Sequence, residues 1–248
     1  MKDIFIIIGA QRSGTTYLYN LLDEHPEICM SKPVKPEPKF FLNKSAGEID
    51  LEAYLGTYFK HCSSDHKILG EKSTSYYEDE KVPVLISKSL PGSKILMILR
   101  NPAQRAISNY FFSVNNGLES RSLNEVFIEK KPPPLRDKQK TSVDPFNYLG
   151  RGDYAKFIIR FKKFFSEDQF RILIFEELIN NKDHIRGLYR FLGVNENFVP
   201  SMIDEKINPS SKNELVSREV RDALNAYYMK RNEELERLIR IDLSVWDI

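Results

Sequence analysis

The sequence predicts an α/β fold in which a central parallel sheet is covered by helices on both faces. Three observations predict it. Short, mainly apolar runs at residues 4–8, 93–99 and 170–175 have the length and composition of strands in a parallel sheet. The first two runs are each followed by a segment with helical spacing, and the third is preceded by one. Glycine or proline punctuates the changes of period at the first two runs, and strands alternating with helices are the pattern of a βαβ chain.

Each element has its own reason. Residues 4–8, Ile-Phe-Ile-Ile-Ile, lead into a loop bounded by Gly9 and Gly14. From residue 15 to 25, Tyr17, Leu18, Leu21 and Leu22 recur on one helical face, and Pro26 marks the end. Residues 31–39 carry Pro33, Pro36 and Pro38 and read as an extended loop leading to Phe40 and Phe41. The run 93–99 follows the turn Pro91-Gly92, and residues 103–114 are helical in pattern. Residues 130–146, with Pro132-Pro133-Pro134 and many charges, form a lid or acceptor loop, or a solvated connection. A helix over 154–165 precedes the third strand, and 205–213, with Pro209, is a polar loop. Val220, Leu224, Tyr227, Tyr228, Leu235, Leu238 and Ile239 make one face of a long closing helix. No internal repeat or domain boundary is visible, so residues 1–248 read as one domain.

Composition sets the outer bounds. The 248 residues are 41% hydrophobic, which excludes a disordered chain. Lys and Arg number 37 against 35 Asp and Glu, so no global field favours nucleic acid, and an anion site must be local. The N-terminal apolar run is far short of the ~20 residues of a membrane span and lacks a signal-peptide cleavage pattern. The expectation is a cytoplasmic protein without a membrane span. Cys29 and Cys62 form no CxxC, and His25, His61, His66 and His184 show no metal-ligand spacing, so neither a metal nor a disulfide is expected.

Two motifs carry chemistry. The first is the loop Gly9-Ala-Gln-Arg12-Ser13-Gly14-Thr15-Thr16. A strand ending in G-x-x-x-x-G and entering a helix converges backbone N–H groups on an anion, and the helix dipole favours it. The arrangement is P-loop-like and implies a three-layer fold. The Lys that a nucleoside triphosphatase carries after the second glycine is replaced by Thr15, while Arg12 places a cation within the loop. The second is Arg100-Asn101-Pro102-Ala-Gln-Arg-Ala-Ile-Ser108, directly after a strand, at the sheet edge where α/β folds bind ligands. Arg grips phosphate bidentately and Ser adds a neutral donor. Together the motifs suit a ligand with two separated phosphate groups.

In this order the motifs resemble the 5′-phosphosulfate loop and the 3′-phosphate motif of sulfotransferases that use 3′-phosphoadenosine-5′-phosphosulfate (PAPS). Lys35-Pro-Glu37-Pro-Lys39-Phe40-Phe41 resembles the K-E-P-H-F-F segment of heparan-sulfate-type members, whose glutamate is the general base. Glu71-Lys72-Ser73-Thr74-Ser75-Tyr76-Tyr77 is similar to their E-K-[ST]-x-x-Y segment, and Gly152-Asp153-Tyr154-Ala155 and the C-terminal segment from Leu235 to Trp246 are also similar. The resemblance implies PAPS as donor, adenosine 3′,5′-bisphosphate as product, and no required metal. It implies Glu37 as base and Arg12 and Lys72 as cations at the transferring group. Arg12, Ser13, Gly14, Thr15 and Thr16 would hold the 5′ end, and Arg100 and Ser108 the 3′-phosphate, with Ser211 and Lys212 closing over it. Lys39 departs from the family histidine. The acceptor would be a small molecule or carbohydrate offering a hydroxyl or amine; the oligomeric state is not readable. Tyr76, Tyr77, Tyr110 and Phe111 suit acceptor or adenine contacts or core packing equally. A P-loop kinase or NTPase, and a non-catalytic module for a nucleotide bisphosphate, remain the competing readings.

Overall fold

A computed structural model describes residues 2–135, 144–204 and 216–247. In chain order the elements are β1 (Asp3–Gly9), α1 (Thr15–Asp23), β2 (Ile28–Met30), α2 (Leu51–Tyr58), β3 (Ile68–Lys72), α3 (Val82–Ser89), β4 (Lys94–Leu99), α4 (Pro102–Asn115), α5 (Leu123–Phe127), α6 (Tyr154–Lys162), β5 (Phe170–Ile174), α7 (Phe175–Leu178), α8 (Lys182–Leu192) and α9 (Arg218–Ile239). Two compact units divide them, Met1–Leu99 with Phe157–Glu205 and Arg100–Lys156 with Lys206–Ile248.

The first unit holds a five-stranded sheet in the order β2-β3-β1-β4-β5, parallel throughout. The chain steps outward from β1 to β2, returns through β3, then crosses to β4, so the order reverses beside β1. Open α/β sheets place ligands at such a reversal, outside the carboxyl ends of the strands. The register between β1 and β4 shifts between Ile7 and Gly9, a bulge immediately before the glycine loop. One face of the sheet is covered by Leu18, Leu21 and Leu22 of α1 and Ile185, Leu188 and Leu192 of α8, all buried. Their spacing of three and four residues is the reason these segments are helices on a core face.

The structure has the predicted strands and adds β2 and β3. β2 has three residues, too few for its period to register, and β3 ends in Glu71 and Lys72, whose charges hide a fully buried strand. The third predicted strand stops at Ile174, where Phe175 opens α7.

The second unit is helical. Ala103, Ala106, Ile107 and Tyr110 of α4 pack with Phe127 of α5 and with Val220, Leu224 and Tyr228 of α9. The Asn101 side chain caps α4, accepting from the N–H groups of Ala103 and Gln104 at 3.0 and 3.1 Å. Its Nδ2 donates to the Trp246 carbonyl at 2.9 Å. Trp246 is buried, its ring 6.3 Å from that of Tyr154. Residues 130–135 and 144–146 have no helix or strand, whereas 136–143 and the predicted polar loop lie outside the described residues. Among the described residues no helix is long and apolar enough to cross a membrane.

Candidate active site

The glycine loop leaves the carboxyl end of β1 and enters α1. The Ala10 N–H donates to the Ile98 carbonyl at 2.8 Å, and the Ser13 N–H to the Ala10 carbonyl at 3.2 Å, which curls the loop back over the sheet edge. Gly14 sits at φ 87°, a left-handed conformation, and a Cβ there would overlap the Phe175 ring. Only glycine satisfies both conditions. At Gly9 the ring of Tyr77 leaves no room for a side chain either. Gly14 caps α1 without a side-chain hydrogen bond, and the first turn carries no acid. Helix N-termini present N–H groups with no partner inside the helix, so the turn suits an anion. Ser13 and Thr15 are buried beneath it, while Arg12, at φ 67°, and Thr16 are exposed.

β3 runs beside β1, with Lys72 in register with Ile7, and the Ser73 N–H donates to the Ile7 carbonyl at 3.0 Å. The segment after β3 therefore leaves the same sheet edge as the glycine loop. There the structure joins two motifs that the sequence shows apart. Lys72 Nζ lies 3.0 Å from Glu37 Oε1. Thr74 donates its backbone N–H to Glu37 Oε2 at 2.9 Å, and its Oγ1 lies 3.1 and 2.9 Å from Oε1 and Oε2. The Lys72 side chain is 5% exposed and that of Glu37 16%, so the pair is largely out of water while the carboxylate keeps an open side. A buried pair of this kind is held by the additional Thr74 hydrogen bonds as much as by charge.

Beneath Glu37 lies a group that the sequence shows within a motif but to which it assigns no role. Glu71, fully buried, accepts from Tyr54 Oη and from Ser73 Oγ, each at 2.6 Å, and hydrogen-bonds with Tyr76. Burial raises its pKa above the usual 4.5, against the lowering effect of the hydroxyls. Ser73 Oγ accepts from the Lys39 N–H at 2.8 Å, and Tyr76 Oη accepts from the Phe41 N–H at 3.0 Å. Tyr58 Oη donates to the Pro38 carbonyl at 3.3 Å. The loop that carries Glu37 is thus fastened from below by hydroxyls gathered around one carboxylate. The signal in the sequence is an acid directly after the short apolar run Ile68-Leu69-Gly70. Tyr76 and Tyr77 are fully buried and Tyr110 is 7% exposed, so core packing accounts for all three.

In the second unit, Arg100 follows directly on the end of β4. Its Nη2 donates to Gln104 Oε1 at 3.2 Å, and its carbonyl accepts from Tyr154 Oη at 2.9 Å. Ser108 lies half-buried on α4. Ser211 and Lys212 fall outside the described residues.

One expectation is corrected. Cys29 and Cys62 are joined in a disulfide, with Cα atoms 5.8 Å apart, and His61 lies against them. The sequence separation of 33 residues conceals what β2 and the end of α2 bring together.

The sequence profile of the sulfotransferase domain family matches residues 2–234, across both units. The chain belongs to the sulfotransferase family. It is 29% identical, over 77% of its length, to a bifunctional heparan sulfate N-deacetylase/N-sulfotransferase 2 of Bos taurus, of which the match spans 22%. The chain therefore spans about a fifth of that curated relative's length. Among solved structures, a sulfotransferase from Alicyclobacillus acidocaldarius matches over 100% of both chains, with TM-score 0.76 and 25% identity. A mouse sulfotransferase, SULT7A1, solved in complex with PAP, shares the fold at TM-score 0.52 and 14% identity, over 93% of this chain and 84% of that one. The P-loop-like three-layer fold expected of this sulfotransferase is the observed one.

Proposed function

We propose that this sulfotransferase moves a sulfuryl group from PAPS to a hydroxyl or amine acceptor, releasing adenosine 3′,5′-bisphosphate. The observation that carries the reading is the Glu37 carboxylate, oriented by Lys72 and Thr74 at the sheet edge from which the glycine loop also departs. The donor supplies an activated sulfuryl group on a phosphate leaving group, and the solved mouse relative in complex with PAP supports that class of ligand. The loop fits it, with a left-handed Gly14, no acid in the first turn of α1 and a cation at Arg12.

The chain's residues then divide the work. The N–H groups of Gly14, Thr15 and Thr16, the hydroxyl of Ser13 and the Arg12 guanidinium receive the charge that develops on the leaving phosphate. Glu37 takes the proton of the acceptor as its oxygen or nitrogen attacks sulfur in line, a role worth about 10²–10⁴ in rate. Lys72 keeps that carboxylate oriented and offers positive charge beside the transferring group. Arg100 and Ser108 hold the 3′-phosphate, aided by Ser211 and Lys212. Arg12 and Lys72 supply the neutralising charge, so no metal is assigned a part. We take the two units together as one sulfotransferase domain, in keeping with a family match that runs through both.

The heparan-type likeness of the Glu37 segment and the Bos taurus relative support a carbohydrate acceptor, with small molecules as the alternative. A cytoplasmic setting is proposed from the sequence, and the Cys29–Cys62 disulfide weighs against it, because reducing compartments keep thiols free. The test is an acceptor screen with PAPS, scored by product mass, on wild type and Glu37→Gln. Wild type is expected to yield a sulfated product, and Glu37→Gln to turn over about 10²–10⁴ more slowly with donor affinity unchanged. Equal turnover by the two proteins defeats the base assignment. Turnover of Mg-ATP instead of PAPS would favour a kinase, and tight bisphosphate binding without transfer would favour a non-catalytic module.

A further inference from the structure

The disulfide is not isolated. His61 Nε2 lies 3.3 Å from Cys29 Sγ and 4.0 Å from Cys62 Sγ, and 3.0 Å from the Met30 carbonyl. The possible ligand atoms of Cys29, His61 and Cys62 all fall within 4.8 Å of one another. We propose that, once reduced, Cys29, His61 and Cys62 form a binding site for one zinc ion, of which the disulfide is the closed, metal-free state.

Geometry favours zinc over a bare thiol pair. Zn–S bonds of about 2.3 Å and Zn–N bonds of about 2.0–2.1 Å at tetrahedral angles place sulfur and nitrogen about 3.6 Å apart. The observed separations of 3.3 and 4.0 Å bracket that value. The sulfurs themselves must part to about 3.8 Å, the tetrahedral S···S distance for such bonds. Burial sets the openings. Cys29 is 3% exposed, which shields one thiolate, while Cys62 is half-buried and His61 exposed, giving reductant and metal a path from solvent. Water completes the fourth position on that side. The site is independent of the proposed sulfuryl chemistry, since none of its residues belongs to the groups assigned there.

The steps balance with a dithiol or phosphine reductant. Two electrons and two protons cleave the S–S bond to two thiols, and the reductant is oxidised. Zinc then displaces both thiol protons. His61 binds as the neutral imidazole through Nε2, its proton on Nδ1, and gives up the hydrogen bond to Met30. Metal affinity is thereby coupled to pH and to redox state.

The test uses the tag-free 248-residue chain, oxidised or reduced without air, incubated with zinc alone and freed of excess metal. Elemental analysis is expected to find one zinc per reduced chain and none per oxidised chain. Cobalt in its place should give the intense near-ultraviolet band of thiolate-to-metal charge transfer. Cys62→Ser should abolish retention, and His61→Ala should weaken affinity by about 10-fold or more, at least the loss seen for outer-shell partners. No uptake by the reduced chain, uptake by the oxidised chain, or unchanged affinity in His61→Ala would each overturn the site. His61 is exposed, so its variant stands as a test even where Cys62→Ser fails to fold.

Discussion

Glu37 shows how much of a proposed catalytic base a sequence displays. The prolines on either side mark it as a loop carboxylate held in extended backbone, and the neighbouring Phe40-Phe41 ties it to a resemblance. Its partner is invisible at that level. Lys72 stands 35 residues away, and the two meet because β2, which leads into the Glu37 loop, pairs with β3, Met30 lying opposite Gly70. Arg100 is the opposite case, because its place at the end of β4 follows directly from the apolar run before it. Arg100→Ala is expected to weaken adenosine 3′,5′-bisphosphate binding by about 10-fold or more, the loss of a charge-assisted contact of about 1.5–3 kcal/mol. Affinity for adenosine 5′-phosphate should barely change. Calorimetry with both ligands checks this, and equal losses would remove Arg100 from the 3′ end.

Among the elements, β1 and β4 were legible because their runs are mainly apolar, as strands covered on both faces must be, and β5 because only the exposed Arg171 interrupts its apolar run. β3 was not, because it buries Glu71 and Lys72, and the cost of burying Glu71 has a consequence for stability. The pKa of Glu71 is raised by burial, so the folded state binds a proton more readily than the unfolded one. Stability from this group is therefore full below about pH 4.5, the ordinary glutamate value, and is lost as pH rises through the raised folded value. Glu71→Gln removes that slope. The melting temperature of the variant relative to wild type is expected to rise as pH increases from 4.5, and parallel pH profiles would refute it. The α4 cap is a second case. Asn101→Ala loses the oxygen that accepts from Ala103 and Gln104, and is expected to cost about 1–2 kcal/mol in urea unfolding.

For the whole molecule, the predicted alternation of strands and helices, the glycine loop and the closing helix were all readable, since each depends on local period and punctuation. The sheet order, the Glu37–Lys72 pair and the Cys29–His61–Cys62 cluster were not, since each depends on which distant segments the sheet brings side by side. The proposed chemistry is also carried by the chain's own cations. Turnover of the disulfide-bonded protein with PAPS is accordingly expected to persist in excess chelator, and complete loss of activity there would contradict the electrostatic scheme.

Trp246 is the single tryptophan of the chain, and its main-chain oxygen receives the side chain of Asn101, the neighbour of Arg100. A native fluorophore is thus wired to the turn assigned to the 3′-phosphate. Its emission offers an unlabelled titration signal for nucleotide occupancy, one that needs neither an acceptor nor a turnover assay.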